Sequence, residues 1–209
     1  MTRPPPTPPK LARKQPSREP PKTRLVIVSE GKNTEPVYIR AFALEHGFSA
    51  DRLDFITNTS TPKSIVDRAV QEKESLARER RRGAHEIWAV FDRDEHPQIE
   101  EAKQKARDND IGIAFSNPCV ELWALYHFHD CHAHTEHGDM PKALKKAMPE
   151  HDPDGRKLFD YEQMRTNYQT ARKRAEKGRA AREKEGTPHG NPSTSMDLLT
   201  EQIVALAKQ

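Results

Sequence analysis

Glu30 follows one short apolar run, Leu-Val-Ile-Val-Ser at 25–29, and Asp92 and Asp94 follow another, Glu-Ile-Trp-Ala-Val-Phe at 86–91. Runs of this kind are strands of a parallel sheet, whose C-terminal ends share one edge where ligands bind. Three carboxylates on that edge repel one another unless a cation sits among them. Hard divalent ions, Mg2+ or Mn2+, prefer such oxygen donors and accept phosphate oxygens as further ligands. In Asp-x-Asp at a strand end both side chains can reach one ion. A Glu from the neighbouring strand can complete the ligand set or take a proton from an attacking water. The competing explanation is that acids after strands favour the N-terminus of the next helix.

The elements that must position these acids alternate. A strand at 25–29 leads into a helix opened by Asn33 or Thr34, with Val37, Tyr38, Ala41, Phe42 and Leu44 as its apolar stripe and His46-Gly47 as its end. Residues 52–57 alternate as a second strand, and Ser60 or Thr61 opens a helix carrying Ile65, Val66, Ala69, Val70 and Leu76. A third strand spans 86–91, a helix 97–109 and a fourth strand 111–115. Ser116-Asn117-Pro118 reads as a turn that starts a fourth helix, with Val120, Leu122, Trp123, Leu125, Tyr126 and Phe128. Strands alternating with helices make an α/β fold, here a parallel four-stranded sheet with flanking helices. Helices at 140–148, 160–186 and 195–208 form a C-terminal helical extension, with a break between Gly186 and Pro192. The expected organisation is an arm at 1–23, a core at 24–130 and an extension at 131–209.

The chain of 209 residues carries 32% charged and 33% hydrophobic residues, with a mean hydropathy of −0.97. That is too polar for burial throughout, so tail or exposed helix is expected. Residues 1–23 hold eight of the seventeen prolines and read as a disordered or polyproline-like arm. Residues 1–24 hold seven Lys/Arg against one Glu, which suits a polyanionic partner as well as it suits a solvated tail. Two cysteines make no disulfide framework, no run is long enough to span a membrane, and the N-terminal segment lacks the apolar stretch of a secretory signal. A cytoplasmic location is the expectation.

Four segments carry a family resemblance: Val-Ser-Glu-Gly-Lys-Asn-Thr-Glu-Pro-Val-Tyr (28–38), Phe-Asp-Arg-Asp-Glu-His (91–96), Ser-Asn-Pro-Cys-Val-Glu-Leu-Trp-Ala-Leu-Tyr-His-Phe (116–128) and Asn-Pro-Ser-Thr-Ser-Met-Asp-Leu-Leu (191–199). Glu after the first strand and Asp-x-Asp after the third resemble the Toprim domain of topoisomerases, primases and OLD-family nucleases. The four segments together resemble the RloB family of bacterial defence-associated proteins, which is Toprim-like and related to abortive-infection AbiLii proteins. The resemblance implies that Glu30 is a general acid or base and that Asp92 and Asp94 bind metal. It implies that Glu35 is a second family acid, catalytic or helix-stabilising, and that Glu121 either joins a metal or serves the helix dipole. It further implies an AAA-type ATPase partner and a role in antiphage defence.

Other residues allow two readings each. Lys32 is a phosphate contact or a surface lysine; its turn is not a P-loop, because the spaced glycine and the Lys-Ser/Thr pair are absent. Asn117 orients a phosphate or caps a turn. Ser193-Thr194-Ser195 caps the last helix, or folds back near the site. Arg172, Lys173 and Arg174 open a stretch, 172–187, with seven basic residues against three acids; it tracks a nucleic-acid backbone or is a solvated helix face. His127, His129, Cys131, His132, His134 and His137 could offer zinc ligands or be loop histidines, and no CxxC pair accompanies them. The expected function is a Mg2+-dependent nuclease on DNA or RNA. The rival is a catalytically silent nucleic-acid or nucleotide-binding module that regulates the ATPase. A receiver-like phosphoacceptor is disfavoured, since it needs paired acids after the first strand.

Overall fold

Leu25, Val26, Ile27 and Val28 are all buried, so the first strand must be covered on both faces. Successive residues of a strand point to opposite faces. Leu25 and Ile27 accordingly join one apolar cluster, and Val26 and Val28 another. The computed structural model describes residues 22–57, 61–78, 84–93, 98–149 and 159–209. Among them are five strands: β1 (Arg24–Ser29), β2 (Leu53–Ile56), β3 (His85–Asp92), β4 (Gly112–Asn117) and β5 (Ser193–Thr194). Eight α-helices are described: α1 (Thr34–Glu45), α2 (Pro62–Arg78), α3 (Ile99–Asp108), α4 (Glu121–Tyr126), α5 (Met140–Ala147), α6 (Tyr161–Met164), α7 (Tyr168–Lys184) and α8 (Met196–Ala207). The sheet runs β2-β1-β3-β4-β5. Its first four strands are parallel, as the alternating pattern predicts, and α2 and α3 cover one face while α1, α4, α5, α7 and α8 cover the other.

Several expectations are corrected. The sheet has a fifth strand: β5 pairs antiparallel with β4, matching Ser116 to Thr194 and Asn117 to Ser193. Two residues are too few to show a period, so no strand signal exists there. Ser116 and Asn117 therefore belong to β4 rather than to a turn, and α4 starts at Glu121, not at Pro118. The Ser193-Thr194-Ser195 segment serves the sheet: the Ser195 hydroxyl accepts from the Phe115 N–H at 2.9 Å, and the Ser116 and Thr194 hydroxyls meet at 2.9 Å. The stripe of α1 is also displaced. Val37 and Leu44 are exposed, and the buried face is Glu35, Tyr38, Ile39, Phe42 and Ala43. Those positions repeat at three and four residues, which places Glu35 at the N-terminal end of the face that meets the sheet.

Local chemistry sets the helix ends. Thr61 and Ser64 form a reciprocal cap before α2: the Ser64 N–H donates to Thr61 Oγ1 at 3.1 Å and the Thr61 N–H to Ser64 Oγ at 3.0 Å. α1 closes as expected on His46-Gly47, with Gly47 at φ +78° and its N–H on the Leu44 carbonyl. Asn33 stands at the N-cap of α1, yet its side chain makes no capping hydrogen bond. Residues 1–21 of the expected arm, Ser60, residues 79–83, Asp94 and Pro97 lie outside the described residues.

The C-terminal elements are built into the core. Met196, Leu199, Ile203 and Leu206 of α8 share the apolar cluster of Leu25, Ile27, Phe42 and Trp123. Asp197 is 2% exposed and forms a two-pronged ion pair with Arg179 of α7, whose Nη1 also donates to the Thr194 carbonyl at 2.6 Å. This clamp ties α7, β5 and α8 together. Removing one member leaves a buried charge without its counter-ion, so Asp197→Ala should cost about 3–5 kcal/mol in urea unfolding. The half-exposed Arg172–Glu201 pair at 3.0 Å is the contrast: Arg172→Ala should cost less than about 1 kcal/mol in the same experiment.

Candidate functional site: an acidic cavity at the strand crossover

The strand order turns at β1 and β3. From β1 the chain moves to β2 on one side; from β3 it moves to β4 on the other. The connecting helices leave on opposite faces, α1 on one and α3 on the other. Such a switch point opens a crevice beyond the carboxyl ends of the two strands. Ser29 pairs with Val90, which brings the residues just after β1 level with the end of β3.

A cavity of about 260 Å3 lies in this crevice, lined by Glu30, Gly31, Thr34, Glu35, Asp92, Val120, Glu121 and His137. Four carboxylates from four elements thus line one space. Glu30 follows β1, Asp92 ends β3, Glu35 stands in the first turn of α1, and Glu121 stands in the first turn of α4. Strand alternation explains Asp92: Phe91 faces the α2/α3 side, so its neighbour faces the α1/α4 side. Glu30 is exposed, Asp92 and Glu121 are half-buried, and Glu35 is buried.

The electrostatics record this crowding. Burial pushes the Glu35 carboxyl above its ordinary 4.5, its own backbone N–H opposes that rise, and the charges of Glu121 and Glu30 add to it. Burial raises the Cys119 thiol, and the Glu121 and Asp92 carboxylates raise it further. Gly31 lies close to this acid: a Cβ there would stand 2.5 Å from Glu35 Oε2, so the Glu35 carboxylate would have to shift.

The acids offer only hard oxygen donors, which fits Mg2+ or Mn2+ rather than a thiophilic ion. Among the described residues no three acids, histidines or cysteines are already gathered closely enough to hold one ion. Asp94, the other half of the Asp-x-Asp pair, lies outside the described residues.

The remaining residues singled out by sequence lie elsewhere. Lys32 is exposed between β1 and α1 and does not line the cavity. Asn117 is buried and donates through Nδ2 to the His189 carbonyl at 2.9 Å, on the α3 side of the sheet. Arg172 pairs with Glu201, and Arg174 binds Asp130 and the Tyr126 carbonyl at 2.7 Å each; Lys173 between them is exposed. The 172–187 stretch is therefore partly internal: Ala171, Ala175 and Gly178 are buried, and four of its arginines hold the helix in place.

The histidines separate. α4 ends at Tyr126, so His127, Cys131 and His134 do not share a helix face. His127 is buried with Nδ1 2.9 Å from the Trp123 carbonyl, and burial lowers its pKa to about 4. His132 and His134 are exposed beside Asp130 and Glu136. His137 alone of the group reaches the acidic cavity, carried there by a short 3-10 turn at His137–Asp139. Nothing in its spacing distinguishes it from its neighbours in sequence.

The RloB-like protein family matches residues 25–203, a span that holds all four cavity carboxylates and β5. The chain belongs to the RloB-like family. No curated protein and no solved structure matches it. In this RloB-like chain no described helix is long and apolar enough to cross a membrane.

Glu35 gives the RloB-like site a pH signature. A carboxyl whose folded pKa is raised binds its proton more tightly in the folded state, so stability falls as pH rises from the ordinary 4.5 through the raised value. Glu35→Gln should therefore raise the melting temperature at pH 8 in EDTA. The gain should vanish below about pH 4, where the glutamate is protonated in both states. Thermal unfolding across that range measures it, and a gain independent of pH would contradict the assignment.

Proposed function

We propose that this RloB-like protein is a Mg2+- or Mn2+-dependent, Toprim-like nuclease that hydrolyses phosphodiesters. The observation that carries the reading is the convergence of Glu30, Glu35, Asp92 and Glu121 on one cavity at the β1/β3 crossover. Four acids lining one cavity favour a cation there, and a phosphodiester would supply further oxygen ligands to it. Asp92 and Glu121, with Asp94 joining from the sequence, would hold the ion. A divalent ion in such a place polarises a phosphoryl oxygen and makes a bound water acidic. Glu30 is exposed at the mouth and takes the proton of the attacking water. Glu35 is the buried acid whose proton affinity is raised, so it can return a proton to the leaving oxygen.

The biological setting follows from family resemblance: antiphage defence of the abortive-infection kind, in the cytoplasm, beside an AAA-type ATPase. A second reading keeps the fold without turnover, as a nucleic-acid or nucleotide-binding module of that ATPase. It is favoured by the spread of the acids, since among the described residues no three are gathered around one point.

Labelled DNA and RNA oligonucleotides incubated with Mg2+ or Mn2+, with and without the ATPase, separate the two. The nuclease reading expects cleavage that Asp92→Asn reduces to background and that Glu30→Gln slows about 100-fold or more. Full activity in Asp92→Asn would refute it. Binding without cleavage under every condition would leave the second reading.

A further inference from the structure

Asp92 and Arg93 are neighbours at the end of β3, and they line different cavities. Asp92 lines the acidic one on the α1/α4 side. Arg93 lines a second, of about 240 Å3, together with Glu100 and Lys103 of α3, Phe115, Asn117 and the 187–190 strap. Strand alternation thus sends Asp92 to the face that carries the other cavity acids and Arg93 to the face that carries Lys103.

Lys103 is the unusual member. It is 2% exposed, and its ammonium lies 4.0 Å over the Phe115 ring. Among the described residues its one hydrogen bond goes to Glu100 at 3.1 Å, and that partner's side chain is 77% exposed. An ammonium has three donors, so two remain for a ligand among the described residues. Burial lowers its pKa, Glu100 opposes this, and the charges of Arg93 and Arg107 lower it further. His189 faces the same space, its pKa lowered first by burial and then by Lys103. Among the described residues two acids stand against these cations, Glu100 in the wall and Glu183 near His189. The far wall is held in place: the Gly190 N–H donates to the Thr187 carbonyl at 2.7 Å, and the His189 carbonyl accepts from Asn117. A buried cation with one exposed partner, in a polar cavity beside further cations, is costly unless an anion offsets it.

We infer that the Arg93–Lys103 cavity is a phosphate subsite for a polynucleotide backbone. It rests on the nuclease reading only for the identity of the anion's carrier. Arg93 at the mouth and Lys103 at the base would grip the phosphate, and Glu100 can swing to solvent as it enters. Phosphate contacts of this kind position a strand without reading its bases.

The test is fluorescence anisotropy of the full chain with a labelled single-stranded oligonucleotide, DNA and RNA in turn. An Asp92→Asn background prevents cleavage. Arg93→Gln and Lys103→Gln should each weaken binding several-fold, equally for DNA and RNA. Each should reduce the slope of log affinity against log salt by about 0.7 between about 50 and 200 mM. Arg93 is exposed, so its variant decides the matter if Lys103→Gln fails to fold. Unchanged affinity and slope in Arg93→Gln would overturn the subsite, as would an oligonucleotide that does not bind the parent chain. The two proposals fail separately. Unchanged binding in the basic variants, with cleavage by the wild type, removes the subsite and leaves the nuclease. Weakened binding, with no cleavage by the wild type, removes the nuclease and leaves the subsite.

Discussion

The pairing of β1 with β3 is the constraint on which the rest depends. It is parallel, in register from Arg24 with His85 to Ser29 with Val90, and it puts the two strands that end in acids side by side. A parallel pair cannot be joined by a tight turn, so the chain between them must cross over through β2 and α2. Burial on both faces then forces α1 to one side and α3 to the other. The crevice, the convergence of carboxylates and the separation of Asp92 from Arg93 across the sheet all follow from that one ladder.

The acidic edge stays compatible with folding because its charges are graded by exposure. Glu30 is exposed, and Asp92 and Glu121 are half-buried. Only Glu35 is buried, and it relieves part of the cost by accepting its own backbone N–H at a helix start. Its carboxylate lies against Gly31, where a Cβ would displace it. Local sequence thus yields to the demands of the site at one glycine and one helix turn, which is where such conflicts concentrate.

Much of this was legible from sequence. The four parallel strands and their helices follow from apolar runs and capping residues, because long-range pairing here obeys local hydrophobic pattern. Glu30, Glu35, Asp92 and Glu121 were identified by sequence, and the fold brings these four to one cavity. Three things were not legible. β5 is two residues long and is specified by hydroxyl contacts with Phe115 and Ser116, almost eighty positions away, which no local period records. The inward face of α1 is displaced because Val37 and Leu44 are as apolar as the residues that are buried; only the sheet chooses between them. The arginines of α7 read as a free cationic surface, yet their partners Glu201, Asp130 and Asp197 come from distant segments. Charge pattern on one helix says nothing of what faces it.

The last helix carries a kinetic consequence. Arg52 donates to the carbonyl of Leu206 at 3.1 Å across 154 positions, and α8 packs into the same cluster as β1 and α1. Contacts of such long sequence separation close late, after the loops between them have paid their entropy. Residues up to Asn117 can lay down β1 to β4 in order, but the face under α1 and α4 stays only partly covered until α7 and α8 arrive. During synthesis all the residues that line the acidic cavity, Glu30 to His137, would therefore emerge before α8 completes the apolar cluster beneath β1 and α1.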